Sequence, residues 1–244
     1  MLLSVVGNVN AIEAKNHDFC KKCDEAYMKS HSFDRTSNKC RGCFFKIYDE
    51  LKEKFPVPCK NGRCVGREIY CGCPIYYEGG VKFENGSLAC KYEPPEGSID
   101  DKSIDIEHIV PKSRFKKDFP SISKEKNNLL SLDFHNMYPG IGAINTDRGK
   151  KRYWKGKITT RQYGRCETTI GNGFIHPRDA AKGQIARAYL YMNSIGAIRL
   201  NPDEIATYNE WHDNHLPEKE ECKREKIIFS IQGKRNPFIS NFCK

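Results

Sequence analysis

The chain has 244 residues, 38% of them apolar, a formal net charge of +10 and 12 cysteines. That length and apolar share allow one good core or two small domains and exclude a chain too polar to fold. No run of 18 apolar residues occurs, so no membrane-spanning helix and no membrane partner are expected.

Residues 1–15 are mildly apolar and end near Val9-Asn10-Ala11. They read either as the remnant of a signal peptide or as an ordinary N-terminal strand. Residues 16–58 form a Cys-rich module. Cys20 and Cys23, then Cys40 and Cys43, are two CxxC pairs whose four thiolates could close a tetrahedral zinc site. Two disulfides are the alternative, and export would favour them. Phe44, Tyr48, Leu51 and Phe55 recur at helical spacing after the second pair. Pro56 and Pro58 mark a boundary, and residues 59–244 are expected to form the second, larger domain. Cys59 and Cys64 flank a turn that a disulfide could staple, and residues 67–92 read as short strands.

The stretch from Asp105 to Arg152 sets polar groups inside apolar flanks. Ile104, Ile106 and Ile109 mark a strand, on which Glu107 and His108 would face opposite sides unless the strand bends. A carboxylate suits a hard cation such as Mg2+, and a neutral histidine is the usual general base near pH 7. Asn145, ahead of the helix-starting Thr146-Asp147, could add an amide oxygen as a second ligand. The plainer reading is a surface Glu, a core His and a capping Asn. Pro111 to Asn128 reads as a basic loop, Leu129 to Phe134 as an apolar segment, and His135 either as a group orienting the site or as a buried residue fixing a loop. From Asp101 to Arg165 there are 15 Lys and Arg against 7 Asp and Glu, so the excess charge surrounds this stretch. Nucleic acid is the expected partner, with Arg114, Lys116, Lys117, Arg148, Lys150 and Arg152 as phosphate contacts. Tyr153, Trp154 and Tyr163 interleave with cations and could stack on bases or simply pack.

Three helices follow: Pro177 to about Ser194, Pro202 to Asn214, and Glu218 to Ile231. Lys234 and Arg235 in the closing loop add to the basic surface. The six cysteines from Cys71 onward allow 15 pairings, which sequence cannot choose among. The expected set joins Cys73 to Cys90, Cys166 to Cys222 and Cys71 to Cys243.

From about Glu68 to Cys243 the chain resembles the endonuclease I family of periplasmic and secreted bacterial nucleases. The resemblance rests on seven blocks in order: Tyr70-Cys71-Gly72-Cys73, Glu107-His108-Ile109-Val110-Pro111, Asp133-Phe134-His135-Asn136, Gly142 to Arg148, Tyr163 to Glu167, Gly183 to Met192 and Gln232 to Phe238. It implies an α+β fold around a ββα-metal (His-Me finger) core, with the Cys-rich module added at the N-terminus. It further implies a Mg2+-dependent endonuclease of low sequence specificity acting on DNA and often RNA. In that scheme Glu107 and Asn145 hold one Mg2+, His108 activates water, and the ion stabilises the leaving 3′ oxygen; His135, Asn136 and Arg187 support the site. The family's interval between the His and the Asp-x-His-Asn block commonly carries an arginine for the phosphate; no arginine aligns securely with it here, and Arg114, Lys116, Lys117, Lys124 or Arg148 could take the role. A monomer in the periplasm or outside the cell is expected, or in the cytoplasm if the N-terminal cysteines bind zinc and no signal is used. The alternative is a non-catalytic, zinc-containing nucleic-acid-binding protein.

Overall fold

A computed structural model describes residues 41–54, 57–59, 62–77, 81–83, 90, 92–95, 103–155, 161–171 and 173–243, except the side chains of 41–43, 45, 46, 57–59, 62 and 63. The expected signal remnant and the thiols of Cys20, Cys23, Cys40 and Cys43, with their zinc or disulfide alternatives, lie outside the described residues.

Helix α1 (Arg41–Lys54) forms where the spacing predicts it. Phe44, Ile47, Tyr48 and Leu51 lie on one face and are all buried. That face packs on β2 and β3 of a four-stranded antiparallel sheet in the order β1 (Val57–Cys59), β2 (Gly62–Arg67), β3 (Pro74–Tyr77), β4 (Val81–Phe83). The register slips between Cys64 and Gly66, and Gly66 has φ 144°, so the bulge falls where a glycine can take it. Between β2 and β3 the buried Glu68 carboxylate accepts from the backbone N–H groups of Tyr70, Cys71 and Cys73 at 2.8, 2.6 and 3.1 Å. One side chain thus folds this loop and sets the position of Tyr70.

Strand β5 (Ile104–His108) pairs antiparallel with β6 (Met137–Ile141), with Glu107 opposite Tyr138 and His108 opposite Met137. Between them, the residues expected to form a basic loop instead make two short helices, α2 (Lys112–Asp118) and α3 (Lys124–Leu130). The first is anchored by the buried Phe115. The second is capped by the Ser123 hydroxyl, which accepts from the Lys126 N–H at 3.1 Å. A 3₁₀ turn at Phe134–Asn136 leads into β6, and α4 (Gly142–Arg148) follows directly. Strands β7 (Arg152–Tyr153), β8 (Thr169–Ile170) and β9 (Phe174–His176) form a third sheet with β9 in the middle.

The C-terminal part is helical: α5 (Lys182–Ser194), α6 (Pro202–Asn214), α7 (Lys219–Gln232) and the short α8 (Pro237–Ser240). Helix α5 is the central one, with Ile185 through Met192 all buried, and it packs mainly on α6, where Tyr189 and Tyr208 stack at 4.3 Å. Helix α7 lies between α1 and the hairpin. Its Arg224 donates to the carbonyls of Phe134, at 2.7 Å, and Met137, and sits over the Tyr138 ring. The fold is α+β. Of the expected disulfides, Cys73–Cys90 forms; the other two are corrected to Cys71–Cys166 and Cys222–Cys243. Helices α7 and α8 reverse at Gly233 and return Cys243 to the first turn of α7, where it meets Cys222. Cys64 is also disulfide-bonded.

Candidate active site

Strand β5 ends, and α4 begins, at one cleft of ≈ 440 Å³ lined by Asp105, Ile106, Glu107, His108, Pro111, Lys112, Ser113, Asn145, Arg148, Gly149 and Lys150. Glu107 and His108 both line it, although strand neighbours ordinarily face opposite sides. They can do so because pairing stops at His108 and the chain turns away. That turn is held by Asn136, whose amide oxygen accepts from the Val110 N–H at 2.7 Å while its nitrogen donates to the Val110 carbonyl at 3.0 Å.

Glu107 is fully buried. Its Oε1 pairs with Arg148 at 2.9 Å and accepts from the Tyr153 hydroxyl at 3.1 Å. Its Oε2 makes no hydrogen bond of ordinary geometry among the described residues, with the Tyr70 hydroxyl near enough to act on the carboxyl. Burial pushes the carboxyl pKa up, and Arg148 opposes that. Tyr70 lies beside it; burial and the nearby carboxylate hold the Tyr70 and Tyr153 phenols well above their usual range, so both stay protonated. The close approach needs a glycine opposite: a β-carbon on Gly140 would stand 2.6 Å from the Tyr70 ring.

His108 Nε2 lies 2.8 Å from the Ser131 carbonyl, which can only accept, so Nε2 carries the proton and Nδ1 keeps a lone pair. Burial lowers the imidazole pKa to about 4, with the Lys112 charge adding to the effect, and His108 is therefore neutral at pH 7. The Asn145 amide nitrogen points back to the Ile106 carbonyl at 3.4 Å, leaving its oxygen as the available donor atom.

This donor set can be tested against a metal. A buried carboxylate oxygen that makes no ordinary hydrogen bond among the described residues and an amide oxygen line the same cleft. Both are hard donors, and no cluster of three or more His, Cys, Asp or Glu that could hold an ion occurs among the described residues. Mg2+ usually keeps several waters and takes few protein ligands. The residues fit that ion better than a fully ligated zinc centre.

Several expected site residues have other occupations. Arg148 is buried rather than turned to the surface, because its guanidinium donates to the carbonyls of His108 and Ile109 at 2.8 and 2.6 Å besides pairing with Glu107. Arg114 is tied into Asp118 at 2.6 Å, Glu204 at 2.9 Å and the Arg199 carbonyl at 2.7 Å. Arg187 pairs with Glu221 and donates to the His215 carbonyl. His135 is buried, with Nε2 donating to the Lys234 carbonyl at 3.0 Å. Arg235 pairs with Glu225 and lies over the Phe229 ring. Lys116 and Lys117 are exposed on α2, and Lys150 is exposed at the cleft rim. Arg152 is partly exposed between the Trp154 and Phe174 rings, with Glu204 at 3.3 Å. Tyr153 and Tyr163, expected as stacking candidates, are buried, and Tyr163 donates to Asp147 at 2.6 Å. Sequence reasoning missed Lys112, Tyr70 and the Ser131 carbonyl. Tyr70 and Lys112 each carried a signal, the one as first residue of the Tyr-Cys-Gly-Cys block and the other by its place directly after the Glu-His-Ile-Val-Pro block.

The class that this fold and cleft define is an α+β protein whose cleft gathers a buried carboxylate, an imidazole with a lone pair, and cations. The chain belongs to the endonuclease I family, whose profile matches residues 68–243. It is 33% identical over 190 residues to an extracellular deoxyribonuclease of Aeromonas hydrophila, an alignment covering 72% of this chain and 82% of that protein. A periplasmic deoxyribonuclease of the same organism is 32% identical, covering 72% and 79%. Endonuclease-1 of Buchnera aphidicola subsp. Acyrthosiphon pisum is 32% identical over 186 residues, covering 72% and 74%.

Proposed function

We propose that this protein is a Mg2+-dependent endonuclease that hydrolyses DNA phosphodiester bonds with little regard to sequence, using the hairpin β5–β6 and helix α4 as a ββα-metal site. One observation carries the reading: the His108 Nδ1 lone pair, Glu107 Oε2 and Asn145 belong to one cleft. The relatives' description as deoxyribonucleases supports DNA as substrate. Three disulfides among the described residues, together with relatives described as extracellular or periplasmic, support work in an oxidising compartment.

In this mechanism the water oxygen adds to phosphorus as the bond to the departing 3′ oxygen breaks. His108 Nδ1 takes a proton from that water, and the departing oxygen gains a proton from solvent, leaving a 5′ phosphate. The fixed Nε2–Ser131 bond keeps the accepting nitrogen aimed into the cleft. A hard divalent cation held by Glu107 and Asn145 would supply positive charge at the phosphate and the departing oxygen. Tyr153 and Arg148 hold one Glu107 oxygen, so the other is left for the ion.

The test is nicking of supercoiled plasmid by the purified protein, with Mg2+ and with a chelator, beside His108→Ala. Cleavage is expected to need the ion and to fall by about 10²- to 10⁴-fold in the variant, with DNA binding retained. Equal cleavage by the variant removes His108 as the base.

A further inference from the structure

The proposed chemistry places growing negative charge on the phosphate oxygens, and a cation aimed at them would lower the barrier. Three cations line the cleft: Lys112, Arg148 and Lys150. Arg148 is buried, and its two terminal nitrogens are engaged by Glu107 and two backbone carbonyls. Arg114, the nearest arginine in sequence to the hairpin, is locked to Asp118 and Glu204. Lys112 differs from both: it opens α2 just past the end of β5, stays accessible to solvent, and makes no ion pair or side-chain hydrogen bond among the described residues. Resting on the nuclease reading above, we propose that Lys112 is a catalytic residue of this chain, its ammonium contacting a non-bridging oxygen of the attacked phosphate.

Its position relative to the base supports this. Lys112 and His108 line the same cleft, so the ammonium and the group that activates water face one volume. The cleft wall also strips part of the ammonium's hydration, which lowers its own pKa, and although Asp105 and Glu107 line the same cleft, no carboxylate among the described residues forms an ion pair with it. An incoming phosphate would. A lysine suits the task as a compact point charge on a flexible stem. Lys150, exposed on the turn after α4, lines the same cleft and suits a contact to flanking backbone.

The experiment measures steady-state cleavage of DNA in Mg2+ by wild type, Lys112→Met, Lys112→Arg and His108→Ala, with urea unfolding of each. Lys112→Met is expected to lower kcat by about 10- to 100-fold with KM changed less than about threefold, and Lys112→Arg to recover most of the loss. The unfolding midpoints are expected to be unchanged, because Lys112 is solvent-accessible. A kcat for Lys112→Met within about threefold of wild type, with His108→Ala inactive, overturns the role of Lys112 and leaves the nuclease reading standing. A raised KM with unchanged kcat does the same, marking Lys112 as a general grip on DNA. Cleavage that survives His108→Ala removes the nuclease mechanism and this assignment with it.

Discussion

At the scale of single residues, two histidines with similar surroundings have different work. His108 and His135 are both enclosed, both bond a backbone carbonyl through Nε2, and both have a pKa lowered to about 4. His108 keeps its second nitrogen at the cleft, whereas His135 is packed against Tyr191 with Asp133, Arg224 and Lys234 as its charged neighbours. His135 therefore bears on stability. The unfolded chain protonates this imidazole near its ordinary value of 6.5, while the folded protein resists until about 4. Between those values the unfolded state binds more protons, so stability is complete above pH 6.5 and is lost as pH falls toward 4. The loss attributable to His135 is about 3 kcal/mol. His135→Gln keeps a donor for the Lys234 carbonyl without titrating. Urea unfolding across pH 4 to 7 should give a flatter profile for the variant than for wild type. Parallel profiles would show that His135 protonates as easily folded as unfolded.

At the scale of elements, the strand carrying Glu107 and His108 was legible in the sequence, marked by Ile104, Ile106 and Ile109. Its partner β6 and the start of α4 were not: Pro139 to Ile141 extend a strand and not a turn, and α4 begins at Gly142, so Asn145 lies inside the helix and not ahead of a start at Thr146. The α5 and α6 patterns were equally clear, because long amphipathic runs carry many concordant signals. Helices α2 and α3 were not legible: each has seven residues, a dense set of lysines and little apolar patterning, and each is fixed by a single buried residue or cap. The donors' commitments were also hidden. Nothing near Arg114 in sequence announces Glu204, ninety positions away, as its partner. Asn136 shows how one such long-range bond holds an element. Its two hydrogen bonds satisfy both backbone groups of Val110, which is buried with them. Asn136→Ala strands both groups and is expected to cost about 2–4 kcal/mol, with kcat falling as the end of β5 loosens beside His108. A loss below about 1 kcal/mol in urea unfolding would mean that water replaces the amide.

At the scale of the whole molecule, the described parts are joined by contacts distant in sequence. Helix α1, which precedes the family's matched region, seals its apolar face against β2, β3 and α7 and so shares the core of the catalytic part. Periodicity foretold the helix but not its docking site, since a stripe of Phe44, Ile47, Tyr48 and Leu51 fits any apolar surface. Cysteine pairing was hidden for the same reason, being decided by the three-dimensional path and not by spacing. The path gives the bridges whose two cysteines are both described unequal weight. Cys71–Cys166 spans 95 residues and Cys222–Cys243 spans 21. Constraining the unfolded chain over the longer loop contributes about 5 kcal/mol, against about 3 for the shorter. The longer bridge also ties the Glu68 loop, and so the Tyr70 that overlies Glu107, to the segment leading into β8. Replacing Cys71 and Cys166 together by alanine should thus destabilise the protein by more than the Cys222/Cys243 double variant, by at least about 1 kcal/mol. It should also lower cleavage per folded molecule, which the shorter bridge, whose cysteines do not line the cleft, should not. Equal unfolding midpoints for the two double variants would mean that the Glu68 clamp and the core already restrict the long loop without its covalent tie.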